Sequence, residues 1–200
     1  MKILHSLSLL IFFSVNAFAL NYEPIEQDLL DLPEHNADCR DIHQIDEGYA
    51  LAMCQYDELD TSDNYGWRLT VFEYHQDQWQ VASVSKGYYD AYSVTLNFFA
   101  AAEGNTLIFA ESAAEYSWGF SVFEWSDNQP LRLGSIDECA NNLDSSSLLP
   151  YLDIQRHDTL EISFTTEAYY EDVEGSEILP AGSVKYVLEN GKLVRHRVAI

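Results

Sequence analysis

Apolar and polar residues alternate along three stretches of the chain, and the stretches can be laid over one another. Leu51, Leu107 and Leu160 correspond, and two residues on so do Met53, Phe109 and Ile162. A second set, Phe72, Phe123 and Tyr186, is followed two residues later by Tyr74, Trp125 and Leu188. Val71-Phe72-Glu73-Tyr74 and Val122-Phe123-Glu124-Trp125 are nearly identical. A period of two puts successive side chains on opposite faces, which is the signature of a strand.

The turns agree with this reading. His75–Gln78, Ser126–Pro130 and Glu189-Asn190-Gly191 separate the third strand of each stretch from the fourth. Asp46-Glu47-Gly48 and Ala102-Glu103-Gly104-Asn105 separate the first from the second. These are residues that tolerate the backbone of tight turns. The pattern predicts an all-β chain of three four-stranded antiparallel meander repeats, over about 38–86, 92–138 and 148–200. Three such units are fewer than the roughly 4–8 blades of a closed propeller, so the expected architecture is propeller-like but partial. A β-sandwich is the alternative. Helical spacing occurs only at Pro24–Leu32, where Ile25, Leu29 and Leu32 share one face and Pro24 sits in the first turn. This predicts a short N-terminal helix, ended by Pro33-Glu34-His35-Asn36.

The first residues have a different character. Lys2 precedes an apolar run from Ile3 to Val15, and Ala17-Phe18-Ala19 supplies a small-x-small motif. This predicts a secretory signal peptide over residues 1–19, cleaved after Ala19, so that the exported chain begins at Leu20. The run is shorter than the about 20 apolar residues that cross a bilayer. Residues 20–200 are then expected to form a single domain, periplasmic or secreted.

Export changes how the cysteines are read. Of Cys39, Cys54 and Cys139, the first two flank the turn at Asp46-Glu47-Gly48. A two-residue turn at Asp46-Glu47 sets Ile45 opposite Gly48 and therefore Cys39 opposite Cys54, within disulfide reach. Cys139 is left over. The spacing suits no zinc site, and no metal ligand set or cofactor is expected.

Charge narrows the choice of partner. The 200 residues carry 33 acidic and 10 basic side chains, a formal net charge of −23. Nucleic acid is excluded as a partner, because binding phosphates takes clustered Lys and Arg. A basic protein would be attracted.

The connections between second and third strands vary most in length, and together with the unit-to-unit connections they collect Tyr, Trp and carboxylates. Successive antiparallel strands alternate direction, so these loops leave the same end of their sheets. The candidate contact residues are Asp63, Tyr65, Trp67, Tyr88, Tyr89, Glu115, Tyr116, Trp118, Tyr169, Tyr170, Glu171 and Asp172. Their rings offer stiff contact area, and their carboxylates suit a Lys- and Arg-rich surface. No catalytic residues are assigned. No Ser-His-Asp set, phosphate-binding glycine motif or distinctive carboxylate pair stands out, and Asp57–Asp63 lacks the spacing of an EF-hand.

The expectation is an exported, non-catalytic binding protein of the inhibitor or immunity type. A carbohydrate-binding or glycan-hydrolysing envelope protein is the first alternative, and an envelope scaffold the second.

Overall fold

In the computed structural model of the protein, which describes residues 15, 16, 18–31, 37–87, 91–101, 104–114, 117–140, 147–156, 158–172 and 175–199, the chain is all-β. The predicted leader falls largely outside the described residues.

Four two-residue strands come first: β1 (Val15–Asn16), β2 (Ala19–Leu20), β3 (Glu23–Pro24) and β4 (Leu30–Asp31). Then come β5 (Ala37–Gln44), β6 (Tyr49–Tyr56), β7 (Arg68–His75) and β8 (Gln78–Val84), followed by β9 (Ser93–Ala100), β10 (Thr106–Ala113), β11 (Ser117–Ser126) and β12 (Gln129–Ile136). The rest are β13 (Cys139–Ala140), β14 (Leu152–Arg156), β15 (Leu160–Phe164), β16 (Ala168–Asp172), β17 (Gly175–Leu179), β18 (Val184–Glu189) and β19 (Lys192–Arg197). The first sheet is ordered β3-β5-β6-β7-β8-β4, the second β12-β11-β10-β9-β2 and the third β1-β14-β15-β18-β19. A smaller sheet, β13-β16-β17, joins the link between the second and third sheets to a hairpin inserted between β15 and β18.

Side-chain parity decides how the sheets stack. Leu51, Met53, Leu69 and Val71 of the first sheet share a core with Ile108, Ala110, Phe123 and Trp125 of the second. The opposite face of the second sheet, with Leu107, Phe109, Phe120 and Val122, shares another core with Leu160, Ile162, Val184 and Tyr186 of the third. Phe109 lies edge-on to Phe99 and Phe120, with ring centroids 5.3 and 5.7 Å away. Burying each such ring stabilises the fold by about 1.5–3 kcal/mol. Leu51 and Leu107 therefore face the sheet that comes next in the chain, whereas Leu160 faces the one before. The third stretch is one residue out of phase with the other two, because no further sheet comes after it and its apolar face must turn back. Its other face is polar, with Lys185 ion-paired to Glu161.

The turns between third and fourth strands are alike. Gln76-Asp77, Asp127-Asn128 and Asn190-Gly191 all have positive φ at both central residues, as type I′ hairpins require.

Two expectations need correction. Residues 24–31 do not form the expected helix. Pro24 lies in β3 at one edge of the first sheet, Gln27–Leu29 make a single 3-10 turn, and Leu30 in β4 pairs in parallel with Trp79 at the other edge. Leu32 is outside the described residues. A nine-residue helix is marginal in water, while the outer face of this sheet, with Ala50, Ala52 and Phe72, needs cover. Ile25 and Leu30 lie across it, and the Ile25 N–H donates to the Ile42 carbonyl at 3.0 Å.

The second correction concerns the β5–β6 hairpin. Cys39 and Cys54 are paired and bridged, as expected. The turn, however, has three residues, Asp46-Glu47-Gly48, with the Ile45 N–H donating to the Tyr49 carbonyl. Asp46 Oδ1 accepts the N–H groups of Gly48 and Tyr49 at 2.8 and 2.9 Å, an Asx turn. A bulge between Arg40 and His43, where Asp41 has φ +52°, absorbs the extra residue and brings the cysteines back into register.

That bulge also ties the first two sheets together. The Asp41 carboxylate accepts the Leu96 N–H through one oxygen and bonds His43 Nε2 through the other, at 2.9 Å. The Asp41 hydrogen bond is the main reason the His43 imidazole is raised above its ordinary 6.5; burial opposes it and the Asp41 charge adds to it.

The N-terminal segment has an unexpected course. β1 pairs with β14, β2 with β9 and β3 with β5, all antiparallel. These three short strands thus lie along the first long strand of each of the three sheets in turn.

Two measurements check this account. Replacing both Cys39 and Cys54 with Ala opens a loop of 15-residue separation. It should lower stability by about 3 kcal/mol on the chain-entropy estimate, read from urea unfolding. A raised histidine stabilises the fold fully below its unfolded-state value and loses that contribution as pH rises through the folded one. Tm should therefore fall as pH rises from about 6 to 8. Asp41→Asn keeps the acceptor for Leu96 and tolerates positive φ. It should flatten that part of the curve relative to wild type.

Candidate functional site

The loop between β6 and β7 is built around a buried arginine. Arg68 opens β7 on the same face as Thr70 and Phe72 and is only 1% exposed. Its guanidinium donates to the carbonyls of Gly66 (2.8 Å), Leu59 (3.1 Å) and Asn64 (3.0 Å), and pairs with Asp60 at 2.7 Å. A rigid five-donor fork is suited to holding several acceptors at once. Thr61 and Asn64 close a small turn across the tip. The Asp57, Glu58, Asp63 and Tyr65 side chains are left in solvent, Tyr65 49% exposed.

The link from the first sheet to the second is fastened to this loop. The Gly87 N–H donates to Asn64 Oδ1 at 2.6 Å, and a Cβ at Gly87 would fall 2.2 Å from the Tyr65 carbonyl oxygen. Only glycine fits there. Trp67 is 2% exposed, and its Nε1–H donates to the Ala91 carbonyl at 2.8 Å. Arg40 lies 4.9 Å above the Trp67 ring and donates to the Tyr92 carbonyl at 3.0 Å. The Tyr92 side chain is 83% exposed.

A buried carboxylate organises the same end of the second sheet. Glu111, at the end of β10, accepts the hydroxyls of Ser117 and Ser147 at 2.5 and 2.7 Å and the Leu148 N–H at 2.6 Å. Three donors satisfy a charge that would otherwise be costly to bury. Trp118 comes directly after Ser117 and is partly exposed. Gly119, at φ +115°, allows the Ile136 carbonyl to come where a Cβ would clash at 1.9 Å.

A third brace holds the inserted hairpin. Glu138 is fully buried and accepts hydrogen bonds from the Tyr186 hydroxyl and from Arg195 Nε. Arg195 lies 4.7 Å above the Tyr170 ring. Burial, and then the Glu138 charge, push the Tyr186 hydroxyl far above the ordinary phenol range, so it stays a donor at any physiological pH. Burial alone would lower Arg195, but Glu138 raises it.

The twelve candidate contact residues are thus in different situations. Asp63 and Tyr65 are exposed on the Arg68-braced loop, and Trp118 is partly exposed. Trp67 is core, which removes it from any contact surface; its indole does more by packing and donating to Ala91 than it could in water. Tyr169 and Tyr170 are half-buried on β16, Tyr169 paired with Cys139 and Tyr170 under Arg195. Tyr88, Tyr89, Glu115 and Tyr116 lie outside the described residues, as do the side chains of Glu171 and Asp172, whose backbone belongs to β16.

Sequence reasoning passed over Arg68, Arg40, Glu111, Glu138 and Tyr92. Arg68 and Glu111 left a signal: each is a charge at an inward position of an otherwise apolar strand. Glu138 left none.

Elsewhere a groove of about 400 Å3 runs between the first sheet and the β11–β12 turn, lined by Tyr49, Glu73, Ser83, Ser85, Asn128 and Gln129 among others. Tyr49 donates to Glu73 at 3.4 Å. Among the described residues no cluster of His, Cys, Asp and Glu is arranged to hold a metal ion, and no helix is long and apolar enough to cross a membrane. Compared with known proteins, the chain matches no family model, no curated protein and no solved structure.

Removing the loop brace has a clear consequence. Arg68→Ala leaves the carbonyls of Leu59, Asn64 and Gly66 without their donor, a loss of about 3 kcal/mol at roughly 1–3 kcal/mol for each buried group left unmet. Arg68→Lys, with a point charge in place of the fork, should recover only part of it. Urea unfolding gives the stability, and limited proteolysis should cut the 57–67 loop first.

Proposed function

We propose that the protein is exported and non-catalytic, and that it docks the braced acidic end of its sheets onto a basic protein partner, as an inhibitor or immunity protein would. The three main sheets are read as a partial propeller whose variable connections supply the contact surface. The observation that carries the reading is the pairing of exposed rings and solvated carboxylates with a rigid support. Tyr65 projects from the Arg68-braced loop that also carries the carboxylates of Asp57, Glu58 and Asp63, and Tyr92 projects from the link held by Arg40. Preformed support lowers the entropy lost on binding, and aromatic anchors dominate interface energies. The Cys39–Cys54 bridge supports an oxidising compartment, periplasmic or secreted.

A second reading has its own observation. The groove at Tyr49 and Glu73 pairs a ring with a carboxylate and several amide and hydroxyl groups, a combination suited to a sugar.

Affinity capture of an identified basic envelope or secreted protein, repeated across salt, separates the two. On the docking reading, Tyr65→Ala and Tyr92→Ala each weaken binding about tenfold or more, and binding weakens as salt rises. Binding indifferent to salt and to both substitutions, together with a glycan-array signal lost in Glu73→Gln, would favour the sugar reading instead.

A further inference from the structure

The strands β1 and β2 cover hydrogen-bonding edges that the proposed export processing would strip. β14 and β9 are the first long strands of the third and second sheets, and β1 and β2 pair with their outer edges: Val15 lies opposite Arg156, Asn16 opposite Gln155, Ala19 opposite Phe99 and Leu20 opposite Phe98. The Ala100 N–H donates to the Phe18 carbonyl at 2.9 Å. A cut after Ala19 removes every one of these partners except Leu20. We propose that this cut opens a strip along β9 and β14 that takes an extended segment of a partner protein, apolar at its centre and flanked by Lys or Arg. The inference rests on the export reading but concerns a different surface. Ala100 and Arg156 lie at the far ends of their strands from the Tyr65 loop.

Three observations support it. The new N-terminus stays in place, because Tyr22 and Glu23 anchor it. The Tyr22 hydroxyl bonds Thr106 Oγ1 at 2.9 Å, the Tyr22 ring meets Phe98 edge-on at 4.9 Å, and Glu23 pairs with Gln44. Leu20 therefore marks the start of an open strip and does not swing out to refill it. Beside the strip lies a cavity of about 280 Å3, which the cut widens by removing Ala19; its lining is mainly apolar, with Leu20, Tyr22, Phe98, Phe99 and Leu149 against Asn21, His43 and Asn97, and favours an apolar side chain in the segment. The cut removes Lys2 and no acidic residue, leaving 33 acidic and 9 basic side chains, a net charge of −24 that favours basic flanks; Arg156, at one end of the strip, is already paired with Glu124. An open sheet edge is a template for an added strand, and β1 and β2 demonstrate the antiparallel geometry it accepts.

The test uses the protein exported by a bacterial host, its N-terminus read by intact mass. The probe is a synthetic peptide carrying residues 12–19 with a lysine at each end. Hydrogen exchange is followed at residues 98–100 and 154–156. The expected result is a chain that begins at Leu20 and exchanges rapidly at these amides. Peptide at ten times its Kd should slow exchange there by about tenfold. Ala100→Pro removes the outward donor from an edge strand, where proline is tolerated. It should abolish the slowing while leaving the far-ultraviolet circular dichroism unchanged. A chain that begins at Leu20 but shows no slowing at any peptide concentration overturns the proposal and leaves the export reading standing. Protection before peptide is added also overturns it. If that protection grows with protein concentration, a second copy fills the edge. If it does not, another part of the chain does. A chain that keeps residues 1–19 overturns the export reading and this proposal together.

Discussion

The second sheet is apolar on both faces, and the rest of the molecule is arranged around that constraint. Seven of the eight residues of β10 are buried, from Thr106 to Ser112. A strand with no solvent face cannot use the usual alternation of inward apolar and outward polar residues, so it needs a sheet on either side. The first and third sheets are those covers. Each is therefore committed to one orientation, which sets the phase of its side chains. Leu51 must turn forward and Leu160 back, although they occupy corresponding positions in the chain. The two ends of the stack differ for the same reason. The first sheet has apolar residues on its outer face, and the segment from Ile25 to Leu30 crosses it. The third sheet has Glu161, Ser163 and Lys185 on its outer face and needs no cover.

Among the described residues, three buried charges mark the places where this stack must be joined by irregular chain. Arg68, Glu111 and Glu138 each sit where a connection leaves a sheet, and each gathers donors or acceptors that regular pairing cannot satisfy. A connection that runs close to a core carries unpaired carbonyls and N–H groups, and leaving them unmet would cost more than burying one well-partnered charge. Glu111 serves a stretch with orphan donors, at Ser147 and Leu148, and Glu138 takes the side-chain donors of Tyr186 and Arg195. The guanidinium serves a stretch with orphan carbonyls, as at Leu59, Asn64 and Gly66. The sign of each brace is thus set by whether the groups it meets are donors or acceptors.

How much of this could be read from the chain depends on the range of the interaction involved. The strands were legible because alternation is local, and so were the three turns at Gln76-Asp77, Asp127-Asn128 and Asn190-Gly191. The disulfide was legible for a partly mistaken reason. The turn at Asp46 has one residue more than expected, and the bulge at Asp41 cancels the difference. The apparent helix at 24–32 was misread because its apolar spacing answers to the face of a distant sheet and not to a helical stripe. Trp67 looked like a contact residue because it ends an acidic loop. Its burial depends on Ala91 and Arg40, neither of which is near it in sequence.

Scarcity of basic residues links the fold to the charge of its surface. Among the described residues, Arg40, Arg68, Arg156, Arg195 and Arg197 each pair with a carboxylate, and Lys185 does the same. Arg68 and Arg195 are also placed inside the structure or against it, where they brace loops. Positive charge is thus taken up locally, while Asp57, Glu58 and Asp63 remain in solvent. Even distribution of the same charges would leave a surface of small alternating fields. Local pairing leaves Asp57, Glu58 and Asp63 together as an acidic group on one loop instead. Surface fields of this kind act mainly on the rate and selectivity of encounter. On the proposed docking, such a field would repel acidic macromolecules at long range and orient a basic partner before contact.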